Sequence, residues 1–262
     1  REIPYDNDGS MTWDLMIERI NSDLANILGN LVNRTIAMTN KYFGGIVTNP
    51  GVEEAVDQEL KDIALAMPSK VMNYMDEYKT AKALEEIFVL LRRTNKYIDD
   101  TMPWALAKDE SKKERLATVL YNLLESIRIS AIALEPFMPS TSVKILDQIN
   151  CDIRDYSSVN TFGMYKEGTK VTDKPQPLFA RLDPKEVEKK VDALNPKKEE
   201  VKVEDESLIS IEDFAKIELV VGTVEKCEKH PSADRLLVSQ INIGKETRQI
   251  VSGIADYFTP EE

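Results

Sequence analysis

The chain has 262 residues, of which 42% are hydrophobic and 31% charged, which is the balance of an ordinary globular protein. At roughly 150 residues per domain, this length predicts about two domains. The formal net charge of −12 excludes a polycation that coats nucleic acid, so any RNA binding needs a local site. The longest unbroken apolar runs are the five residues of Ile63–Met67 and of Ile87–Leu91, which argues against a membrane span or a signal peptide.

Scarce residues exclude several kinds of chemistry. The single histidine, His230, excludes a zinc site built on several histidines. Cys151 and Cys227 lie far apart, which excludes a disulfide framework and favours a reducing, cytoplasmic compartment. No phosphate-binding glycine loop or nucleophile-elbow motif occurs, so we expect no catalytic residue, cofactor or metal in this chain. Because the chain starts without Met and ends within a β-rich region, we expect it to be part of a longer protein.

Residues 13 to about 150 have the apolar spacing of helices, with glycine and proline at the breaks. Helices of about 20 residues with short connections predict a mainly α fold, an antiparallel helical bundle. The predicted helices are Asp23–Tyr42, Gly51–Met67 (broken or kinked by Pro68), Thr80–Asp100, Lys112–Leu134 and a short one after Pro139.

Three segments are predicted along the chain. Residues 1–182 form the bundle and an extension, in which Pro177-Leu178-Phe179 is a short apolar anchor before Arg181. Residues 183–207 are densely charged and predict a solvated helix over 183–195, followed by a flexible linker over 197–206. Residues 208–262 predict strands at Leu219–Val224, Leu236–Ile243 and Arg248–Val251. Three strands cannot close a small barrel, which needs about five, so we expect this module to be truncated and poorly ordered or prone to aggregate.

The first helix carries an unusual polar stripe. Asn26, Asn30 and Arg34 recur every four residues, so in an α-helix they advance about 40° per step and share one face. A solvated face is the simpler interpretation, but such faces usually carry Lys and Glu. Amide donors, amide acceptors and a guanidinium fork are the groups that recognise base edges.

A proline and a tryptophan follow the third predicted helix. Pro103 fixes the backbone before Trp104, and a tryptophan held this way can present its ring to an unstacked base, although burial in a core is the commoner role. The other tryptophan, Trp13, has no such support, and we expect it to serve packing.

Several long motifs resemble one family, the methionyl-tRNA synthetases. Residues 23–35 resemble the opening of that family's anticodon-binding helical domain, and residues 1–10 resemble the stretch leaving its catalytic domain. Residues 100–108 resemble its Pro-Trp motif and residues 178–182 the end of its core. Residues 208–262 resemble its appended tRNA-binding oligonucleotide-binding (OB-fold) module.

The resemblance implies a class I synthetase that attaches methionine to initiator and elongator tRNA using ATP. The family's ATP-binding motifs and zinc knuckle are absent here, so the resemblance implies the tRNA-reading half of such an enzyme, inactive alone. ATP with magnesium would belong to the catalytic domain, and whether that domain holds zinc stays open. The family's anticodon readers fall on Asn30, Arg34 and Trp104, with Asn26 and Pro103 beside them.

The expected partners are tRNA and, through the C-terminal module, a second copy of the chain. No membrane partner is expected. Two alternatives remain at this point: a non-enzymatic tRNA-binding scaffold built from the same modules, and a bundle that serves only protein contacts. The second alternative would leave the Asn-Arg stripe unexplained.

Overall fold

A computed structural model describes residues 9–194 and 209–261. The chain divides into two compact units, with the boundary between residues 196 and 197, and each unit is described by itself. The predicted linker over 197–206 lies outside the described residues. The predicted helix over 183–195 is present as Pro184–Leu194, as far as the description extends.

The helical unit opens with one continuous helical run. It consists of α1 (Trp13–Arg19), a π-helical segment (Ile20–Gly29) and α2 (Asn30–Phe43). Thr12 caps the start, where its hydroxyl accepts a hydrogen bond from Leu15 N–H at 3.2 Å. Gly44, at φ +63°, ends the run in the left-handed conformation.

Two expectations for this run were wrong. The helix begins ten residues before Asp23, because the Thr12 cap and the apolar groups of residues 15–20 extend it toward the N-terminus. Trp13, in the first turn, is 52% exposed rather than packed.

The remaining helices complete the predicted antiparallel bundle. Two ion pairs show that α3 (Ala55–Asp76) and α4 (Thr80–Thr101) are antiparallel. Glu59, early in α3, pairs with Arg93, late in α4, whereas Lys70, late in α3, pairs with Glu86, early in α4. The bounds are α3 Ala55–Asp76, α4 Thr80–Thr101, α5 Pro103–Leu106, α6 Lys113–Leu134, α7 Pro139–Gln148 and α8 Pro184–Leu194.

Of the two alternatives predicted at Pro68, a break or a kink, the break was wrong. The helix continues through Pro68 to Asp76. A proline inside a helix removes one backbone hydrogen bond. Here Met67, Pro68 and Val71 are all buried against the core, and this packing outweighs the lost bond.

Helix α6 is the centre of the helical unit, and every residue from Arg115 to Leu134 is buried. Together with the preceding turn it spans Glu110–Leu134, the one described helix that is long and apolar enough to cross a membrane by length and composition. The absence of long unbroken apolar runs was therefore too coarse a criterion for excluding a helix of membrane-spanning length and composition. All of its apolar window is buried inside the protein, as in the core helix of a folded domain.

Two charged groups in the buried part of α6 are paired with each other. Glu125 and Arg128 are both 0% exposed and join through two hydrogen bonds of 2.7 and 2.8 Å. The same carboxylate accepts backbone N–H groups from Gly163, Met164 and Tyr165 at 2.7–2.9 Å. The pair therefore fixes the loop after residue 158 onto the core helix.

A second buried group joins three helices. Arg115 of α6 donates two hydrogen bonds, of 2.7 and 3.0 Å, to Asp57 of α3, and Tyr97 of α4 donates to the same carboxylate. Desolvation, with the Asp57 hydrogen bond second, raises the pKa of Tyr97, so its hydroxyl stays a donor.

The second unit contains a three-stranded antiparallel sheet in the order β1-β2-β3. Its strands are β1 (Thr223–Lys229), β2 (Leu237–Asn242) and β3 (Thr247–Ser252), preceded by the short helix α9 (Ile211–Phe214). This is the partial barrel that the sequence predicts. The two later strands lie where predicted.

The first predicted strand was misplaced. Strand pairing begins at Thr223 instead of Leu219, and Val221 is 97% exposed. An apolar run was taken for a buried strand, but in the described part of the unit no strand pairs with residues 219–222. Gly222 passes so close to Ile241 that a side chain there would collide with it.

The buried Glu125–Arg128 pair gives a stability test. Arg128→Met should lower the free energy of unfolding by about 3–5 kcal/mol, because it leaves the Glu125 charge buried without its partner. Urea unfolding followed by circular dichroism measures this. Arg154→Met removes an exposed ion pair with Asp147 and should cost about 0–1 kcal/mol. Equal costs for both variants would contradict the argument.

Candidate nucleic-acid interface

The predicted polar stripe lies on the surface of the first helical run. Asn26 and Asn30 are exposed, as is the neighbouring Asn33, and Arg34 is half-buried. Asn26 lies in the π-helical segment, and Asn30 N–H donates to the carbonyl of Ala25, five residues back. The 40° step therefore applies only between Asn30 and Arg34. Such π-helical turns are rare and are frequent at functional sites.

The first two stripe residues line a cavity of about 280 Å³. One wall belongs to the helical run and the other to a segment near the end of the helical unit. The wall residues are Ala25, Asn26, Gly29, Asn30 and Asn33 on the helix, and Pro177, Leu178, Phe179 and Arg181 on the segment. We call residues 177–182 the strap.

The strap is held by hydrogen bonds at Leu182 and by apolar packing at Leu178 and Phe179. Asn21 donates to the Leu182 carbonyl at 2.9 Å and accepts from Leu182 N–H at 2.8 Å. Leu178 and Phe179 are partly buried against the core, so the predicted apolar anchor is present. The Phe179 ring lies against Gly29, where a Cβ would be in ordinary contact with it at 3.7 Å; the tight contact of such a Cβ would be with the Leu24 carbonyl of the same helical run, at 3.1 Å.

One hydrogen bond crosses the cavity from strap to helix. Arg181 donates from its guanidinium to the side-chain oxygen of Asn26. The side-chain oxygen of Asn26 therefore already accepts one hydrogen bond, from Arg181. None of the cavity-lining residues is acidic, and the guanidinium of Arg181 adds donors to the amides of the three asparagines, so the cavity is rich in donors.

Arg34 and Trp104 lie beyond this cavity. Arg34 Nη2 is 3.9 Å from Asp99 Oδ1, near the end of α4. At Met102 (φ +45°) the chain turns through the left-handed region, and buried Pro103 begins α5. Trp104 follows with 42% of its surface exposed. The ring is thus available to solvent rather than hidden in the core.

The five predicted residues therefore fall into two groups. Asn26 and Asn30 share the cavity, whereas Arg34 of α2 pairs with Asp99, near the end of the helix that leads into Pro103 and Trp104. Trp104 does not line the cavity. Asn30 and Arg34 are about one helical turn apart on α2, which connects the two groups.

Three residues at this surface were not predicted. Asn21 and Arg181 contact residues 161 and 155 positions away, and Asp99 lies on another helix than Arg34. The only sequence feature that pointed to these contacts was the apolar anchor. It indicated that the strap packs on the bundle but not which residues it contacts.

The strap contact can be tested by hydrogen exchange. Asn21→Ala removes both hydrogen bonds to Leu182, each of which contributes about 0.5–1.5 kcal/mol, so the Leu182 amide should exchange about 10-fold faster. Asn33→Ala is the control, because Asn33 lines the same cavity without a hydrogen bond to the described strap. Unchanged exchange in Asn21→Ala would show that the apolar anchor alone holds the strap.

Two family models match the chain. Residues 47–197 match the anticodon binding domain of methionyl tRNA ligase, and residues 219–262 match a putative tRNA binding domain. The first match includes Trp104 and the strap, while Asn26, Asn30 and Arg34 precede it.

The chain is also similar to whole proteins of the kind named by the first family model. The methionine–tRNA ligases of Caldanaerobacter subterraneus subsp. tengcongensis, Clostridium tetani and Bacillus subtilis are 46%, 47% and 42% identical over 268, 266 and 276 aligned residues. Each alignment covers the whole chain and 41% of the relative. The crystal structure of apo Mycobacterium tuberculosis methionyl-tRNA synthetase is similar at 35% identity and a TM-score of 0.66, over 70% of this chain and 37% of that one.

Proposed function

Because the chain belongs to the methionyl-tRNA ligase family, we propose that it is the tRNA-recognition part of a methionine–tRNA ligase and that it reads the CAU anticodon. The chain spans 41% of the length of the ligases that it matches. The attachment of methionine to initiator and elongator tRNA is therefore proposed for the whole protein, and this chain alone should be inactive. The cytoplasm, where translation takes place, is the proposed location.

The observation that carries the proposal is an exposed tryptophan that follows the helix end where Arg34 pairs with Asp99. Trp104 offers a ring face on which a base can stack, and its place after buried Pro103 limits the freedom lost on binding. Arg34 can donate to the ring acceptors of cytosine, while the Asn30 carbonyl accepts from its amine. A wrong base would leave these groups unpaired.

The acidic partner of Arg34 does not oppose this role. The Arg34–Asp99 pair is long, at 3.9 Å, and Asp99 is 68% exposed. Exposed ion pairs of this kind contribute about 0–1 kcal/mol, so a base or phosphate can replace Asp99 at little cost. The net charge of −12 is compatible too, because recognition needs only the local site.

Catalytic cofactors are proposed to belong to the rest of the ligase. ATP with magnesium, and zinc where the ligase holds it, would bind in the catalytic domain. In residues 9–194 and 209–261 no group of three or more His, Cys, Asp or Glu side chains is placed to hold a metal.

Anticodon recognition is tested by two substitutions. Trp104→Ala should weaken binding of a tRNA with a CAU anticodon by about 1–3 kcal/mol, the range of base stacking. Arg34→Ala should relax discrimination at one anticodon base by about 1–3 kcal/mol. Filter binding with CAU and unrelated anticodons measures both effects.

Trp13→Ala is the matched control, because Trp13 is the other tryptophan and is exposed to a similar extent. It should bind like the wild type. If Trp104→Ala and Arg34→Ala lost equal affinity for unrelated anticodons, these residues would grip the backbone rather than read bases.

The second unit is proposed to pair with another copy of the chain in the intact protein. Its described strands leave apolar side chains exposed, among them Val224 (56%), Ile250 (41%) and Val251 (48%). Open edges of β1 and β3 with such side chains favour pairing with another chain. The basic residues of the unit, Lys226, Lys229, Arg235, Lys245 and Arg248, would add a salt-sensitive contribution to tRNA affinity.

Sedimentation equilibrium tests the pairing. Val251→Lys should shift the protein from dimer toward monomer, because it places a charge on the exposed sheet. Val143→Lys is the matched control, since Val143 is exposed to a similar degree (45%) but lies on α7 of the helical unit. A wild-type protein that stays monomeric at micromolar concentration would refute the proposal.

A further inference from the structure

The proposed roles of the five predicted site residues do not account for the donor-rich cavity beside the stripe. Its wall contains three asparagines and Arg181 but no carboxylate, in a protein whose net charge is −12. A site of this composition suits a ligand that brings acceptor oxygens.

Arg181 differs from the other arginines in its partner. Of the ten arginines that the structure describes, the other nine each lie within 4.0 Å of a carboxylate. For Arg181 no carboxylate partner occurs in the described part of the chain, and its hydrogen bond goes to the neutral amide of Asn26. An exposed guanidinium with donors to spare is therefore held at the edge of the cavity.

The strap makes this position a fixed one. Two hydrogen bonds from Asn21 hold Leu182, the next residue, and the Asn26 contact orients the guanidinium itself. A preorganised donor loses less conformational freedom on binding than a free arginine.

The cavity also shares Asn30 with the proposed anticodon site. Asn30 lines it, and Arg34 lies about one helical turn, roughly 5 Å, further along α2 toward Asp99. A single strand that stacks one base on Trp104 and lies along this face of α2 can place a neighbouring nucleotide at the cavity.

We propose that the strap forms a second wall of the RNA site and that Arg181 binds an acceptor oxygen of a nucleotide adjacent to the one stacked on Trp104. This rests on the proposed anticodon recognition. The acceptor is a base carbonyl or a phosphate oxygen, which have the same hydrogen-bonding chemistry and are separated by the test below.

The experiment measures equilibrium binding of the whole chain to an RNA stem-loop with a CAU anticodon and to stem-loops with each anticodon base replaced. Arg181→Ala and Arg181→Gln should both bind the CAU loop roughly 10-fold more weakly, the effect of losing a charged hydrogen bond. Arg181→Lys, which keeps the charge, should recover part of the loss.

Two readouts identify the acceptor. If it is a phosphate oxygen, all loops lose affinity equally, and the slope of log affinity against log salt falls by about 0.7. If it is a base carbonyl, discrimination at one anticodon position falls instead. A purely structural role for Arg181 would change neither the salt slope nor the discrimination at one anticodon position. Arg181→Gln tests for such a role, because glutamine can still donate a hydrogen bond to Asn26. Exchange of the Leu182 amide verifies that the strap stays in place.

Arg154→Ala, at an exposed arginine paired with Asp147, is the control and should bind like the wild type. If Arg181→Ala and Arg181→Gln bind within twofold of the wild type while Trp104→Ala is weakened, the strap proposal is wrong and anticodon recognition stands. If the wild type does not prefer the CAU loop, both proposals fall.

Discussion

The carboxylate of Glu125 is the contact on which the surface described above depends. Helix α6 is buried on all sides, so its charged groups need partners inside the protein. Glu125 binds Arg128 and three successive backbone N–H groups of residues 163–165. It thereby fixes the start of the extended segment that ends in the strap. Further along, Val171 N–H donates to the Gly45 carbonyl and Thr172 N–H to the Gln148 carbonyl, which guide the segment back to Asn21 and Leu182.

The surface that results combines rigid support with exposed donors. The π-helical segment carries Asn26, the regular helix α2 carries Asn30 and Arg34, and the left-handed turn at Met102 sets out Trp104. Of its two arginines, Arg34 is weakly paired with Asp99, and Arg181 is oriented by the neutral Asn26. Such groups can exchange their present partners for RNA without leaving a buried charge unpaired.

Local patterns in the sequence were sufficient for the helical bundle and for the later two strands, because amphipathic spacing reports which face is buried. They failed where tertiary packing decides. Helix α3 continues through Pro68 because its neighbours are buried, and Leu219–Gly222 forms no strand because no described strand pairs with it. The stripe and the Pro-Trp pair were visible in the sequence. The contact between Arg181 and Asn26 was not, since 155 residues separate them and no periodicity links them.

The central claim is that Trp104 and its neighbours bind the anticodon itself, and the tryptophan can report this directly. In a Trp13→Phe variant, Trp104 is the only tryptophan, so its fluorescence follows stacking at this one site. We expect strong quenching when a CAU stem-loop is added, and much weaker quenching at the same concentration with an unrelated anticodon on the same stem. Equal quenching by both loops, or none by either, would contradict the central claim.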